Sequence, residues 1–331
     1  MQLSCAPKGG RGFQIELEHH IMSTAIMDLP EQEYIMPGTR TCAGCGLPIA
    51  YRYILKALGP KTIVTLPACC LTILHGIYPK TPIAVNAVNN TFASTAASAS
   101  GLVAGLKVTG RDDWTVLAMA GDGGTFDMGI QALSGAAERQ TDFIYVCYDN
   151  EAYMNTGVQR SSATPTGAIT TTTPFLTKEQ PKKDFVQIME AHNLAYLATT
   201  SSSYPGDLYN KFRRAKQIRG TRFIYLSIPC PAGWGYATKD TVRIGRLAVE
   251  AGIVALYEVE HGKLRLTGKT LTLARSGRKR SVDEYLRLQS RFRRMTPEQV
   301  ADFQRQVDES WERLLTRAGA LNGERPEAAN Q

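Results

Sequence analysis

Three short runs, at 114–120 (WTVLAMA), 143–148 (FIYVCY) and 222–228 (RFIYLSI), are apolar almost without interruption. A strand with one wet face alternates apolar and polar residues. An unbroken apolar run therefore reads as a strand buried on both faces of a parallel sheet. Helical patterns lie between such runs. Ile49, Tyr53, Ile54 and Leu58 recur at helical spacing until Gly59-Pro60 stops them, and Ile130, Leu133 and Ala137 share one face of a helix expected over 127–139. Further helices are expected over 95–107, 185–192, 208–218 and 243–251, with strands over 62–66, 195–199 and 253–260. This alternation predicts a doubly wound, mainly parallel α/β sheet with helices on both faces.

Around that sheet, residues 1–37 read as an irregular N-terminal arm punctuated by Pro30 and Pro37, 38–260 as the α/β domain, and 261–331 as a basic C-terminal helical extension with exposed helices over 282–292 and 297–315. The 331 residues contain 43 % hydrophobic and 21 % charged residues, an ordinary globular balance. No run of about 18 apolar residues is present, so no membrane helix is expected. The first residues lack the apolar core of a secretory signal, so the cytoplasm is the expected location. Seven cysteines in such a setting argue for metal binding, catalysis or burial rather than a disulfide framework.

The sharpest motif is Gly121-Asp122-Gly123 at the end of one buried strand, with Asn150 placed 28 positions after Asp122 at the end of the next. Doubly wound sheets bind ligands at the carboxyl ends of their strands. A diphosphate requires a divalent cation such as Mg²⁺, held by one or two protein oxygens and by phosphate oxygens. Asp122 offers a charged ligand, Asn150 an amide oxygen, and a backbone carbonyl near Ala152 a third. The glycines let backbone N–H groups approach phosphate, and a following helix N-terminus favours its charge. Asn155 is placed to reach the diphosphate or the reactive ring. The loop over 150–173, rich in Ser, Thr, Gly and Pro, has the length of a functional segment.

A second constellation is made of cysteines. Cys42 and Cys45 form a C-x2-C pair, Cys69 and Cys70 are adjacent after the next strand, and Cys230 sits in a Pro-Cys-Pro turn. Four thiolates from three loops suit a zinc ion or an iron–sulfur cluster. The lack of a second C-x2-C pair favours iron–sulfur. Cys147 reads as a small core residue and Cys5 as part of the loose arm. His19, His20, His75, His192 and His261 show no ligand spacing; His75 alone falls where it could lie near a cofactor.

The string AGDGGTFDMGIQALSGAAERQTDFIYVCYDNEAYMNTGVQRSSATPTGA, residues 120–168, resembles the β subunit of the multi-subunit pyruvate:ferredoxin oxidoreductases, within the 2-oxoacid:ferredoxin oxidoreductase family. The resemblance spans roughly residues 38–257. It implies a sheet of the thiamine-diphosphate-binding type. Gly121, Asp122, Gly123, Gly124, Asn150, Ala152, Tyr153, Asn155 and Thr156 would contact thiamine diphosphate, with Asp122, Asn150 and the Ala152 carbonyl on Mg²⁺ and Asn155 at the catalytic centre. TCAGCG and CPAGWG resemble the family's cluster segments, which implies Cys42, Cys45, Cys70 and Cys230 as ligands of a [4Fe-4S] cluster, with Cys69 the competing choice for the third. Ala93 departs from the acidic residue expected after Phe92.

The activity implied is oxidative decarboxylation of pyruvate with coenzyme A to acetyl-CoA and CO₂, with electrons passed to ferredoxin. Oxalate, 2-oxoisovalerate, phenylglyoxylate and 2-oxoglutarate are the alternative substrates. One sheet accounts for the diphosphate half of such an enzyme only. The resemblance implies an α subunit carrying the pyrimidine-binding domain and its activating glutamate, with γ and ferredoxin-like δ subunits. A non-redox thiamine-dependent decarboxylase or carboligase would leave the cysteines unexplained, and a zinc-binding interaction protein would leave Asp122 and Asn150 unexplained. Net charge is +8, and +6 of it lies over 261–331, with fifteen Lys and Arg against nine Asp and Glu. The runs Arg278, Lys279, Arg280 and Arg291, Arg293, Arg294 read as a solvated face or as a docking surface for an acidic partner. No nucleic-acid motif accompanies the charge.

Overall fold

A computed structural model describes residues 29–319. Cys5, His19, His20 and most of the expected arm lie outside the described residues, as does the chain from 320 onward. α1 (Gly46–Leu58) leads into β1 (Thr62–Pro67), α2 (Cys70–His75) and β2 (Asn86–Asn90). α3 (Thr95–Val108), β3 (Thr115–Gly121), a π-helical turn (Gly123–Asp127), α4 (Ile130–Glu138) and β4 (Ile144–Asp149) follow. Beyond a long loop come α5 (Phe185–Glu190), β5 (Tyr196–Ser201), α6 (Pro205–Gln217), β6 (Arg222–Ser227), α7 (Pro231–Trp234) and α8 (Thr241–Glu250). The chain then adds β7 (Tyr257–Glu260), β8 (Lys263–Leu266), α9 (Gly268–Ser276), α10 (Val282–Leu286) and α11 (Pro297–Arg317).

The strands form one sheet in the order β2-β1-β3-β4-β6-β5-β7-β8. The first six are parallel, and β7 and β8 join as antiparallel neighbours. Every residue of β4, β5 and β6 is buried, as the apolar runs of β4 and β6 require; β5 is buried although it ends in Thr199, Thr200 and Ser201. Alternate residues feed two cores. Leu117 and Met119 of β3 pack with α1, α2 and α6, whereas Val116, Ala118 and Ala120 pack with α3 and α4.

Three expectations are corrected. The glycine-rich turn after β3 is one π-helical turn, and α4 starts only at Ile130. The strand expected over 253–260 starts at Tyr257 and runs antiparallel to β5, because it returns as a hairpin with β8. The C-terminal helices are not simply exposed: Val282, Tyr285, Leu286, Phe292 and Val307 join a third core with α8. The described part of the arm is also engaged, since Lys56 of α1 donates to the carbonyls of Pro30, Glu31 and Gln32.

Lys211 of α6 fastens three segments. Its ammonium is 2.7 Å from Asp207 and donates to the Thr199 carbonyl and to Thr267 Oγ1, both at 2.8 Å. Its side chain is 1 % exposed and that of Asp207 is 9 % exposed. Lys211→Met leaves Asp207 as an uncompensated buried charge. The substitution is expected to destabilise the fold by about 3–5 kcal/mol, measured by urea unfolding.

Candidate active site

The parallel register brings the sequence motifs together. Gly121 of β3 pairs with Tyr148 of β4, so Asp122 emerges beside Asp149 and Asn150. Gly123 must lack a side chain, because a methyl there would collide with the ring of Tyr153. Tyr153 donates to Asp127 Oδ2 at 2.8 Å and tilts against Phe92, whose ring borders Gly124.

Asp122 is 1 % exposed and has no ion-pair partner among the described residues. Ser161 Oγ donates to its Oδ2 at 2.5 Å. Its Oδ1 is 3.0 Å from the Asn150 side-chain amide, which is also 3.0 Å from the Ala152 carbonyl. The amide presents its oxygen to both; turned over, its nitrogen would donate to both. Adjacent oxygens about 3 Å apart are what octahedral bonds of about 2.0–2.1 Å to a small cation produce. Burial pushes the Asp122 carboxyl well above the usual carboxylate range, and Asp149 pushes the same way. A cation among these oxygens would relieve both effects, so the donor set fits Mg²⁺.

The backbone makes this convergence at Glu151, which has φ 70°. A non-glycine residue in that left-handed region costs about 1–2 kcal/mol. Four contacts hold it. Its N–H donates to Asp149 Oδ1 at 2.8 Å and its carbonyl accepts from Thr164 at 2.7 Å. Its carboxylate lies 2.9 Å from Lys182 and 2.7 Å from Arg291. Lys182 also reaches Asp149 at 2.6 Å, and Tyr225 donates to that carboxylate at 2.7 Å. Burial alone would raise the Glu151 carboxyl, but Lys182 and Arg291 outweigh it and hold it below its ordinary range.

Sequence reasoning missed Lys182, Ser161, Trp234 and the role of Glu151. Arg291 is a correction: it is 5 % exposed and buried in this network, not part of a solvated basic face. Asn155 and Thr156 lie in an exposed turn beyond the converged oxygens, with Gly157 N–H donating to the Met154 carbonyl.

The cysteines gather at the same edge. Cys70 opens α2 after β1, and Cys230 caps α7 after β6, both at the carboxyl ends of parallel strands. Cys45 caps α1 and accepts from Leu47 N–H at 3.5 Å, as Cys230 accepts from Gly233 N–H at 3.4 Å. Burial pushes the Cys45 thiol up to about 11, and the nearby Cys230 and Cys42 add to the rise. Burial likewise pushes Cys70 to about 12, with Cys69, Cys230, Cys45 and Cys42 contributing. Cys42, Cys45, Cys70 and Cys230 thus lie within electrostatic range of one another. Cys69 instead is buried with its thiol toward Tyr148, and Cys147 is a core residue of β4. Among the described residues, no three His, Cys, Asp or Glu side chains are close enough to hold one metal ion.

The two groups touch. Trp234, four residues after Cys230, donates to the Asn150 carbonyl at 2.7 Å. Gly233 is flush against Met154, with no room for a methyl between them.

Residues 69–226 match the family described as thiamine pyrophosphate enzyme, C-terminal TPP binding domain. Over 286 residues the chain is 47 % identical to pyruvate synthase subunit PorB of Methanothermobacter thermautotrophicus, covering 85 % of this chain and 97 % of that one. It is 44 % identical over 297 residues to ketoisovalerate oxidoreductase subunit VorB of Pyrococcus horikoshii, covering 87 % and 94 %. Among solved structures it is similar to 2-oxoglutarate:ferredoxin oxidoreductase from Magnetococcus marinus, with TM-score 0.53 and 21 % identity over 62 % of this chain and 70 % of that one. At that identity the likeness speaks for the fold.

His75 does not serve the oxygens. Its ring is buried against Tyr51, with Nε2 3.0 Å from the Tyr51 hydroxyl, and burial pulls it down to about 4. In the unfolded chain it titrates near 6.5. The unfolded chain therefore binds more protons between those values, and stability is lost as pH falls from about 6.5 to about 4. The loss is roughly 3 kcal/mol. Urea midpoints at pH 7 and 4.5 are expected to fall less for His75→Gln than for the parent chain.

Proposed function

We infer the function from a premise that the sequence similarities establish: this chain belongs to the β subunits, the thiamine-diphosphate-binding subunits, of the 2-oxoacid:ferredoxin oxidoreductases. It is therefore an oxidoreductase subunit that binds thiamine diphosphate and works within a hetero-oligomer. We propose that its substrate is pyruvate, with coenzyme A as acyl acceptor, and that it holds Mg²⁺ and a [4Fe-4S] cluster. The relatives named for pyruvate support that substrate, and the relatives named for ketoisovalerate keep 2-oxoisovalerate as the second choice. Oxalate, phenylglyoxylate and 2-oxoglutarate remain outcomes of a substrate panel.

The observation that carries the proposal is the 3.0 Å convergence of Asp122, Asn150 and the Ala152 carbonyl at the strand edge that also gathers the four thiols. When bound, thiamine diphosphate supplies the electron sink for decarboxylation and an iron–sulfur cluster supplies a one-electron acceptor. The chain's own residues bind and orient. Asp122, Asn150 and Ala152 would hold Mg²⁺, Ser161 fixes the Asp122 carboxylate, and Gly123 and Gly124 leave the backbone open to phosphate. Tyr153, Asn155 and Thr156 would border the cofactor, with Asn155 toward the reacting atoms. Cys42, Cys45, Cys70 and Cys230 would ligate the cluster, and the N–H groups of Leu47 and Gly233 would offset charge on its sulfurs. The mutual influence of the four thiols supports one shared group among them. That group also favours the redox enzyme over a non-redox decarboxylase or carboligase.

An α subunit would supply the pyrimidine-binding domain with its activating glutamate. γ and ferredoxin-like δ subunits would carry electrons on to ferredoxin. Among the described residues no helix is long and apolar enough to cross a membrane, and we place the enzyme in the cytoplasm.

Two experiments test this. Asp122→Ala in the co-purified complex is expected to abolish Mg²⁺-dependent binding of thiamine diphosphate by calorimetry, while Ser161→Ala, which only orients a ligand, should weaken it about tenfold. Unchanged binding by Asp122→Ala sinks the metal assignment. Anaerobically purified complex should contain iron and sulfide that Cys230→Ala loses in part, and Cys147→Ala retains. A 2-oxoacid panel with a viologen acceptor should rank pyruvate first.

A further inference from the structure

Arg291 stands at the crossing of the two groups. Its guanidinium is 2.7 Å from Glu151 Oε2 and lies 4.0 Å over the centre of the Trp234 ring. Its Nε donates to Gln289 Oε1 at 3.0 Å and one terminal nitrogen to the Tyr285 hydroxyl at 3.1 Å, which fixes the plane of the fork. Its own carbonyl accepts from Ile169 N–H at 2.8 Å, which ties the long loop to the same point. Trp234 in turn donates to the Asn150 carbonyl. One cation from the C-terminal segment therefore grips both sides of the Asn150–Glu151 peptide, directly at Glu151 and through the indole at Asn150.

That peptide decides where two of the three oxygens point. Asn150 offers a side-chain oxygen and Ala152 a backbone oxygen, and across the left-handed turn at Glu151 the Ala152 carbonyl comes within 3.0 Å of the same Asn150 amide that lies 3.0 Å from Asp122. A relaxed Glu151 would swing the Ala152 carbonyl away. Lys182 cannot replace Arg291, because it is already shared between Asp149 and Glu151.

We propose that Arg291 is a positioning residue for the cofactor's metal: it locks Glu151 in its turn and so keeps the Asn150 and Ala152 oxygens converged on Asp122. The inference rests on the Mg²⁺ reading of those oxygens given above. It assigns the C-terminal segment a role in cofactor binding although none of its described residues bonds to the oxygens.

The test titrates thiamine diphosphate into the co-purified complex by calorimetry, at limiting and at saturating Mg²⁺. Arg291→Met is expected to weaken binding at limiting Mg²⁺ by roughly tenfold or more, the usual cost of removing a residue that orients a metal ligand. Saturating Mg²⁺ should restore most of that loss, and kcat with both cofactors saturating should stay within about threefold, since binding and not chemistry is affected. Arg291→Lys keeps the charge without the fork or the stacking and should fall between. Glu151→Gln should match Arg291→Met, and the double variant should lose no more than either alone. Wild-type Mg²⁺ dependence in Arg291→Met, losses that add in full, or a fall in kcat that Mg²⁺ does not recover would each overturn the proposal. If Arg291→Met fails to assemble, Arg291→Lys, Glu151→Gln and their double variant carry the same criteria. Asp122→Ala separates the two levels: if it loses cofactor while Arg291→Met does not, only the role of Arg291 fails; if it too binds normally, the metal reading fails beneath it.

Discussion

Asp122, Asp149 and Glu151 crowd the ends of two adjacent strands, and none is more than 8 % exposed. Three carboxylates in so small a buried volume repel one another and lack water to screen them. Lys182 and Arg291 compensate Asp149 and Glu151. Asp122 is left with a serine hydroxyl and the Asn150 amide. The sheet, the long loop and the C-terminal segment all contribute to this one charge pattern, which is why distant parts of the chain are locked together around it. Under the proposed reading, the one buried carboxylate left without a cation, beside two that are compensated, is the one that would take the metal.

The cysteines show the same kind of crowding. Burial and mutual repulsion push the thiols of Cys45 and Cys70 upward, so four thiolates cannot persist together in this environment without positive charge among them. Metal ligation inverts that preference and deprotonates a thiol outright. Both groups occupy the carboxyl edge of the parallel strands because strand direction alone sends every such loop there.

Much of this was legible in the sequence, and the limits have physical causes. β3, β4 and β6 announced themselves because strands buried on both faces need unbroken apolar runs. β2, with the sequence Asn86-Ala-Val-Asn-Asn90, gave no signal. Its residues are almost all exposed, and its pairing with β1 alone defines it. The motif residues Asp122, Asn150 and the cysteines were visible because chemistry restricts their types and strand ends fix their places. Lys182, Trp234 and Arg291 were not, since each is defined by a partner far along the chain. Arg291 was hidden further by its neighbours, because Arg293 and Arg294 are the exposed charges that such a run suggests. A local charge count cannot tell a guanidinium held under an indole from two exposed neighbours.

The contact between the two groups has a consequence for how they can act. Trp234 bonds to the peptide that carries Asn150, and it belongs to the same short helix that Cys230 caps. Gly233 leaves no gap against Met154. The cysteine loop therefore meets the oxygen loop in direct contact, with Trp234 buried and Met154 and Gly233 half-buried beside it. If the two loops hold a cofactor and a cluster as proposed, this contact would set the distance between them. The sequence makes that contact with small means: a glycine against the end of the Met154 side chain, and an aromatic residue whose single N–H satisfies the buried Asn150 carbonyl.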